Sequence, residues 1–178
     1  MLFQYVILLS ISISCLIIRM IYEIFNYKKA KFISTPVVFR LMSFFMGCLW
    51  FSWFALSDFD PMKINLEDWV RWTGFGIFIL GMLFAVVSVI QIIISFIISK
   101  IKKEDKLITN GVFAITRHPM YLGFILWLIG YPIFKEALFT LTISIIWLIN
   151  ILIWRHLEEK ELLEKFKNFK EYQKRTIF

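Results

Sequence analysis

Long apolar runs separated by short polar stretches set the plan of this 178-residue chain. The runs cover about 2–22, 37–57, 69–99, 119–134 and 137–154. A bilayer core of roughly 30 Å admits backbone only where each N–H and C=O is satisfied within its own segment, so runs of this length predict helices that cross a membrane. At about 1.5 Å per residue the third run reaches about 45 Å, so it must tilt, bend or project beyond the lipid. The fourth and fifth runs are joined by only a tight turn at Lys135-Glu136 and predict an antiparallel helical hairpin. The expected architecture is all-α, with about five transmembrane helices in one membrane domain, three in 1–99 and the hairpin in 100–178.

Within the spans a few positions break the apolar pattern. Ser10 and Ser14 share one face of the first helix and are expected to pack or hydrogen-bond against another. Arg19 and Arg40 lie near span ends, within snorkelling reach of the interface. Gly74, Gly81, Ser88 and Ser95 recur every seven residues in the third span, a stripe that lets a second backbone approach closely. Gln91 is the strongly polar residue deep in that span and is expected to bond a neighbouring helix. After Trp154 the chain turns polar and helix-forming. Leu162, Phe166 and Phe169 mark a C-terminal amphipathic helix, lying on the membrane or against the loop before Pro119.

Composition strengthens the membrane reading: 60% of the residues are hydrophobic, against roughly 45–50% in soluble domains. The formal net charge of +7 does not point to nucleic acid, because the basic residues sit in short loops between apolar runs. Lys and Arg number three in 23–36, five in 100–118 and seven from 155 onward, against two in 58–71 and one at 135. The bias predicts the N-terminus outside and the C-terminus in the cytoplasm, with the basic segments together on the inner face. Cys15 and Cys48 fall inside apolar runs without pairing or metal-ligand spacing and read as small core residues. The first run lacks a basic start and a small-residue cleavage site, so it is expected to be a retained span. This simple architecture points to a prokaryotic cytoplasmic membrane.

Two stretches on the predicted inner face carry chemistry. The first, 111–123, reads GVFAITRHPMYLG and joins a basic segment to an apolar span. Ionisable groups at a membrane border are costly to keep, so Arg117 and His118 beside Pro119 and Tyr121 read as a site. Pro119 disfavours the α conformation at His118 and suits the first turn of a helix, whose free N–H groups favour an anion. The second is Arg155-His156-Leu157-Glu158-Glu159, where the fifth span leaves the membrane. Adjacent acids run against simple anchoring, because anionic lipid favours Lys and Arg there. Carboxylates at that point suit a ribose diol or an ammonium.

LITNG followed by RHPMYLG, a helical hairpin and then EEKELLEKF with Tyr172 and Arg175 resembles the isoprenylcysteine carboxyl methyltransferase family and the related phospholipid methyltransferases. The resemblance covers 106–176. Departures include Gly111-Val112-Phe113-Ala114 where the family often has GPYR or GPF, and Lys167 where a glycine is usual. The resemblance implies a helical membrane enzyme that transfers a methyl group from S-adenosylmethionine to a lipophilic acceptor, with 100–178 as the cofactor-binding half. Carried over by residue, it places Arg117, His118, Tyr121, Gly123, Glu158 and Glu159 at the cofactor. Arg155 stands close to the catalytic arginine of the isoprenylcysteine enzymes and would orient a substrate carboxylate. If the acceptor were an amine, His156 or a glutamate would instead remove its proton. Two alternatives stay open: an NADPH-dependent enzyme like the sterol reductases, and a non-enzymatic membrane scaffold whose basic tail binds lipid or a partner.

Overall fold

The computed structural model describes residues 2–28, 36–102 and 106–178. Among these residues six α-helices follow in order: α1 (Leu2–Tyr27), α2 (Pro36–Asp58), α3 (Asp68–Lys102), α4 (Pro119–Phe134), α5 (Leu138–Lys165) and α6 (Phe169–Arg175). A 3-10 turn at Gly111–Ala114 precedes α4. The basic residues Lys29 and Lys31, and Lys103, Glu104 and Asp105 of the second basic segment, lie outside the described residues.

The protein is an all-α integral membrane protein. Among the described residues, four stretches are long and apolar enough to cross a bilayer: Leu2–Tyr27, Arg40–Asp58, Asp68–Lys102 and Leu138–Lys165. The fourth expected span, α4, begins and ends where the sequence placed it, but at 16 residues it reaches only about 24 Å. It tolerates that length because it lies inside the bundle. Tyr121, Phe124, Trp127 and Leu128 are buried along it. Pro119 fixes its start and Glu136, at φ 57°, turns the chain back at its end.

Helix α3 packs chiefly on α4, α1 on α2, and α5 against both α4 and α1. The stripe on α3 explains the first pairing. A Cβ at Gly81 would fall 2.7 Å from the Gly123 carbonyl oxygen, and one at Gly130 would fall 2.5 Å from the Phe78 nitrogen. Two seven-residue glycine steps, Gly74/Gly81 on α3 and Gly123/Gly130 on α4, therefore face one another and let the backbones touch. On the other side of α4 aromatic rings fill the interior: Trp50 stands 4.7 Å from Phe124 and 4.6 Å from Trp127, and Trp53 stands 4.8 Å from Trp147, by ring centroids. The expectation for α1 is corrected. Ser10 and Ser14 are exposed, and the Ser10 hydroxyl donates to its own helix at Val6 O (2.8 Å). The buried face of α1 carries Tyr5, Ser12, Cys15 and Leu16 instead.

The polar segments gather at the two ends of the bundle. At one end the loop 58–67 is knitted to the α4–α5 turn. Buried Asp60 accepts from the backbone N–H of Met62 (2.7 Å) and Thr140 (2.6 Å), and Lys63 Nζ donates to the carbonyls of Ser57 (2.6 Å) and Lys135 (2.9 Å). At the other end lie the close of α1, the segment before α4 and the polar end of α5. This is the end that holds both chemical motifs.

Candidate functional site

Three elements build the site. The segment before α4 is fixed by Gln91 of α3, whose Nε2 donates to Asn110 O (2.6 Å) and whose Oε1 accepts from Val112 N (3.3 Å). Gln91 thus bonds a loop rather than the neighbouring helix expected of it. Gly111 is required here twice over. Its φ is +58°, and a Cβ would fall 2.6 Å from the Gln91 amide. His118 follows at φ −127°, ψ 61°, outside the α region as the residue before a proline should be, and α4 begins at Pro119 with no side-chain cap on its first turn.

The second element is α5, which does not end at Trp154. It runs unbroken to Lys165, where Phe166 turns extended, so the polar continuation is the same helix and carries Arg155, Glu158 and Glu159 out of the bundle rigidly. The third element is α6, a short helix folded back on the segment before α4. Phe169 is fully buried, and the Tyr172 hydroxyl donates to Phe113 O (2.6 Å). Burial pushes that hydroxyl above its ordinary value, with Arg117 opposing. The C-terminal residues then pair with the chain before α4: Ile177 N donates to Ile115 O and Arg117 N to Ile177 O, each at 3.2 Å.

Geometry gives the predicted residues different tasks. Arg117 is 12% exposed, and its guanidinium is engaged: Nε donates to Glu159 Oε1 (3.0 Å), and Nη1 donates to the carbonyls of Gln173 (3.0 Å) and Thr176 (2.6 Å). It ties α6 and the C-terminal residues to α5. Glu159 Oε1 also lies 3.2 Å from His118 Nε2 and 3.4 Å from Arg155 Nη2, so three side chains converge on one oxygen. His118 is buried, its Nδ1 is 3.5 Å from Glu158 Oε2, and its ring stacks on Tyr121 with centroids 5.5 Å apart. Glu158 stays nearly half exposed, at 46%. Arg155 lies over the Phe178 ring at 4.5 Å and keeps a buried Nε without a hydrogen-bond partner. His156 is exposed. Gly123, expected at the cofactor, packs against Gly81 and Ala85 of α3, so its demand for glycine comes from helix crossing.

Two clefts open on either side of Glu158. One, of about 260 Å³, lies between the segment 106–113 and the α5–α6 junction, with Lys106, Phe113, Arg117, Glu158, Phe166 and Tyr172 in its wall. The other, of about 360 Å³, lies between the end of α1 and the facing parts of α4 and α5, with Arg19, Glu23, Tyr121 and Glu158 in its wall. Sequence reasoning missed α1 here. Arg19 reads as a snorkelling anchor, and nothing local in the sequence says that Glu23, one turn on, reaches a wall shared with Glu158 more than 130 residues away.

Apolar helices packed on one another, with Arg117, His118, Arg155, Glu158 and Glu159 gathered where α4 and α5 meet the polar end of the bundle, define the class: an integral membrane protein with a polar site at one bilayer border. The chain belongs to the phospholipid methyltransferase family, whose family model matches residues 69–168. The matched part holds α3, α4 and α5 and leaves α1, α2 and α6 outside. Over 95 residues the chain is 33% identical to protein-S-isoprenylcysteine O-methyltransferase B of Arabidopsis thaliana, covering 52% of this chain and 46% of that protein. The chain thus spans about half the length of that relative. No solved structure matches the chain.

Proposed function

We propose that the protein transfers a methyl group from S-adenosylmethionine to a lipophilic acceptor at the cytoplasmic face of a prokaryotic cytoplasmic membrane. The observation that carries this reading is that Glu158 lines both clefts, so two ligands held in them would meet beside one carboxylate. Family membership supplies the reaction class, and the excess of Lys and Arg in the segments at this end supports the cytoplasmic orientation.

The smaller cleft suits the donor. Phe113, Phe166 and Tyr172 offer ring faces to an adenine, Glu158 offers acceptor oxygens to a ribose diol or an amino group, and Lys106 and Arg117 bring positive charge to its wall. Bound there, S-adenosylmethionine supplies a methyl group already activated by the sulfonium. What remains for the chain is alignment and exclusion of water. Glu159 fixes Arg117, His118 and Arg155 relative to one another, and the buried His118 ring stacks on Tyr121, which lines the larger cleft. Arg155 lines neither cleft: its guanidinium lies over the Phe178 ring and against Glu159, with Nε buried and unpartnered.

The test is to incubate the protein, held in lipid nanodiscs, with methyl-labelled S-adenosylmethionine and a membrane lipid extract. Label in the organic phase, reduced at least tenfold by Glu158→Gln, is the expected result. Folded protein that leaves all label in the aqueous phase contradicts the reading.

A further inference from the structure

The larger cleft is walled on one side by α1, which lies outside the family match. On that wall Arg19 and Glu23 form an ion pair one helical turn apart, with side chains only 19% and 15% exposed. A snorkelling arginine would extend toward the headgroups with its charge in water. Arg19 instead lies over the rings of Trp154 (5.4 Å) and Tyr22 (5.1 Å) and is paired at its tip. Burying such a pair costs several kcal/mol of desolvation per ion, which anchoring does not require. A charge pair kept at that cost on the wall of a cleft marks a recognition element.

The charges of the lining decide what it recognises. Among the described residues Glu23, Glu158 and Glu161 stand against Arg19, three carboxylates against one guanidinium, and that guanidinium pairs with Glu23 while its Nε is buried without a hydrogen-bond partner. Arg155, which would have met an acidic head, is not part of this wall. The rings of Tyr22, Tyr27 and Tyr121 complete it, and Tyr121 is buried to 7% exposure. Carboxylates and aromatic faces together suit a compact cation. Met120 and Leu157 supply apolar surface within the cleft, and Ile21 and Ile24 on the same turn of α1 are exposed to lipid, so an apolar tail has somewhere to lie.

We propose that this cleft seats the polar head of the methyl acceptor, and that Glu23, set by Arg19, makes it selective for a protonated amine over a carboxylate; the amine gives its proton to a carboxylate of the wall before its nitrogen lone pair takes the methyl group. The proposal rests on the methyl-transfer reading only for calling the ligand an acceptor; the site and its charge preference stand on the cleft itself. Its first readout is therefore binding.

The experiment uses the full chain in nanodiscs, with empty nanodiscs as the partition control. Dodecyltrimethylammonium and dodecanoate, both below their micellar concentrations, are the probes, and S-adenosylmethionine binding is measured in parallel. The expected result is that the ammonium binds about tenfold more tightly than dodecanoate, and that Glu23→Gln removes most of that advantage while S-adenosylmethionine binding is unchanged. Glu161→Lys, at an exposed position where misfolding is not at issue, should reverse the preference. Equal binding of the two probes, or a preference untouched by both variants, overturns the proposal even where S-adenosylmethionine binds. A Glu23-dependent ammonium preference in protein that binds no S-adenosylmethionine supports the site and overturns the methyl-transfer reading instead.

Discussion

Replacing Arg117 by glutamine measures how far this side chain, in the wall of the donor cleft, also holds the site together. The guanidinium donates to Glu159 Oε1 at 3.0 Å, to Gln173 O at 3.0 Å and to Thr176 O at 2.6 Å, from a side chain 12% exposed. Hydrogen bonds from a charged donor contribute roughly 1.5–3 kcal/mol each, but three sharing one side chain do not add. A shorter, neutral amide cannot span α5 and the C-terminal residues together. We expect the docking of 172–178 to weaken by about 3 kcal/mol, close to a hundredfold in the opening equilibrium. The reporter is Ile177, whose N–H donates to Ile115 O at 3.2 Å only while the tail is docked. Hydrogen exchange of a peptide covering 172–178 should therefore accelerate about a hundredfold, with exchange in α2 unchanged. Unchanged protection in that peptide would refute the reasoning and leave Arg117 only its place in the wall of the donor cleft.

Other expectations follow from the same contacts. Gly123→Ala puts a methyl group 2.6 Å from Gly81 O and 2.8 Å from Ala85 N, both backbone atoms. Overpacking of that kind costs about 2 kcal/mol, so thermal unfolding in detergent should fall by about 4–8 °C. Tyr172→Phe deletes the donor to Phe113 O, and about 1 kcal/mol of docking of α6 should go with it, read as faster exchange of the Gly111–Ala114 turn. Lys135 is held above its ordinary value of 10.5, chiefly by its hydrogen bond to Asp58, with burial opposing. Because the folded value is the higher one, this stabilisation is complete below pH 10.5 and is lost as pH rises through the folded value. Lys135→Met should therefore narrow its stability gap from the wild type as unfolding is followed from pH 7 to 11.

The spans were legible because lipid leaves the backbone few choices, and Pro119 marked the start of α4 to the residue. The glycine stripe on α3 was legible as a packing face, yet its partner was not. Gly123 lies inside a chemical motif, and only the crossing with Gly81 shows why a side chain there is excluded. Helix after Trp154 was legible, but the one amphipathic helix read through Leu162, Phe166 and Phe169 is instead the end of α5 and a separate α6, broken where Phe166 turns extended. The site was half legible. Glu158, Glu159 and His118 do converge, but sequence spacing cannot reveal that Arg117 is occupied by Glu159 and the tail carbonyls. Nor can it reveal Arg19 and Glu23, because α1 joins the site through tertiary packing alone.

The central claim is that a cofactor sits against Glu158, between the segment before α4 and the end of α5. The most direct measurement is calorimetric binding of S-adenosylmethionine, and separately of NADPH, to the protein in nanodiscs, with Glu158→Gln and His118→Ala alongside. The account predicts that S-adenosylmethionine binds, that NADPH does not, and that Glu158→Gln weakens binding at least tenfold. Binding of NADPH alone, or of neither by protein whose helical content is intact, would contradict it.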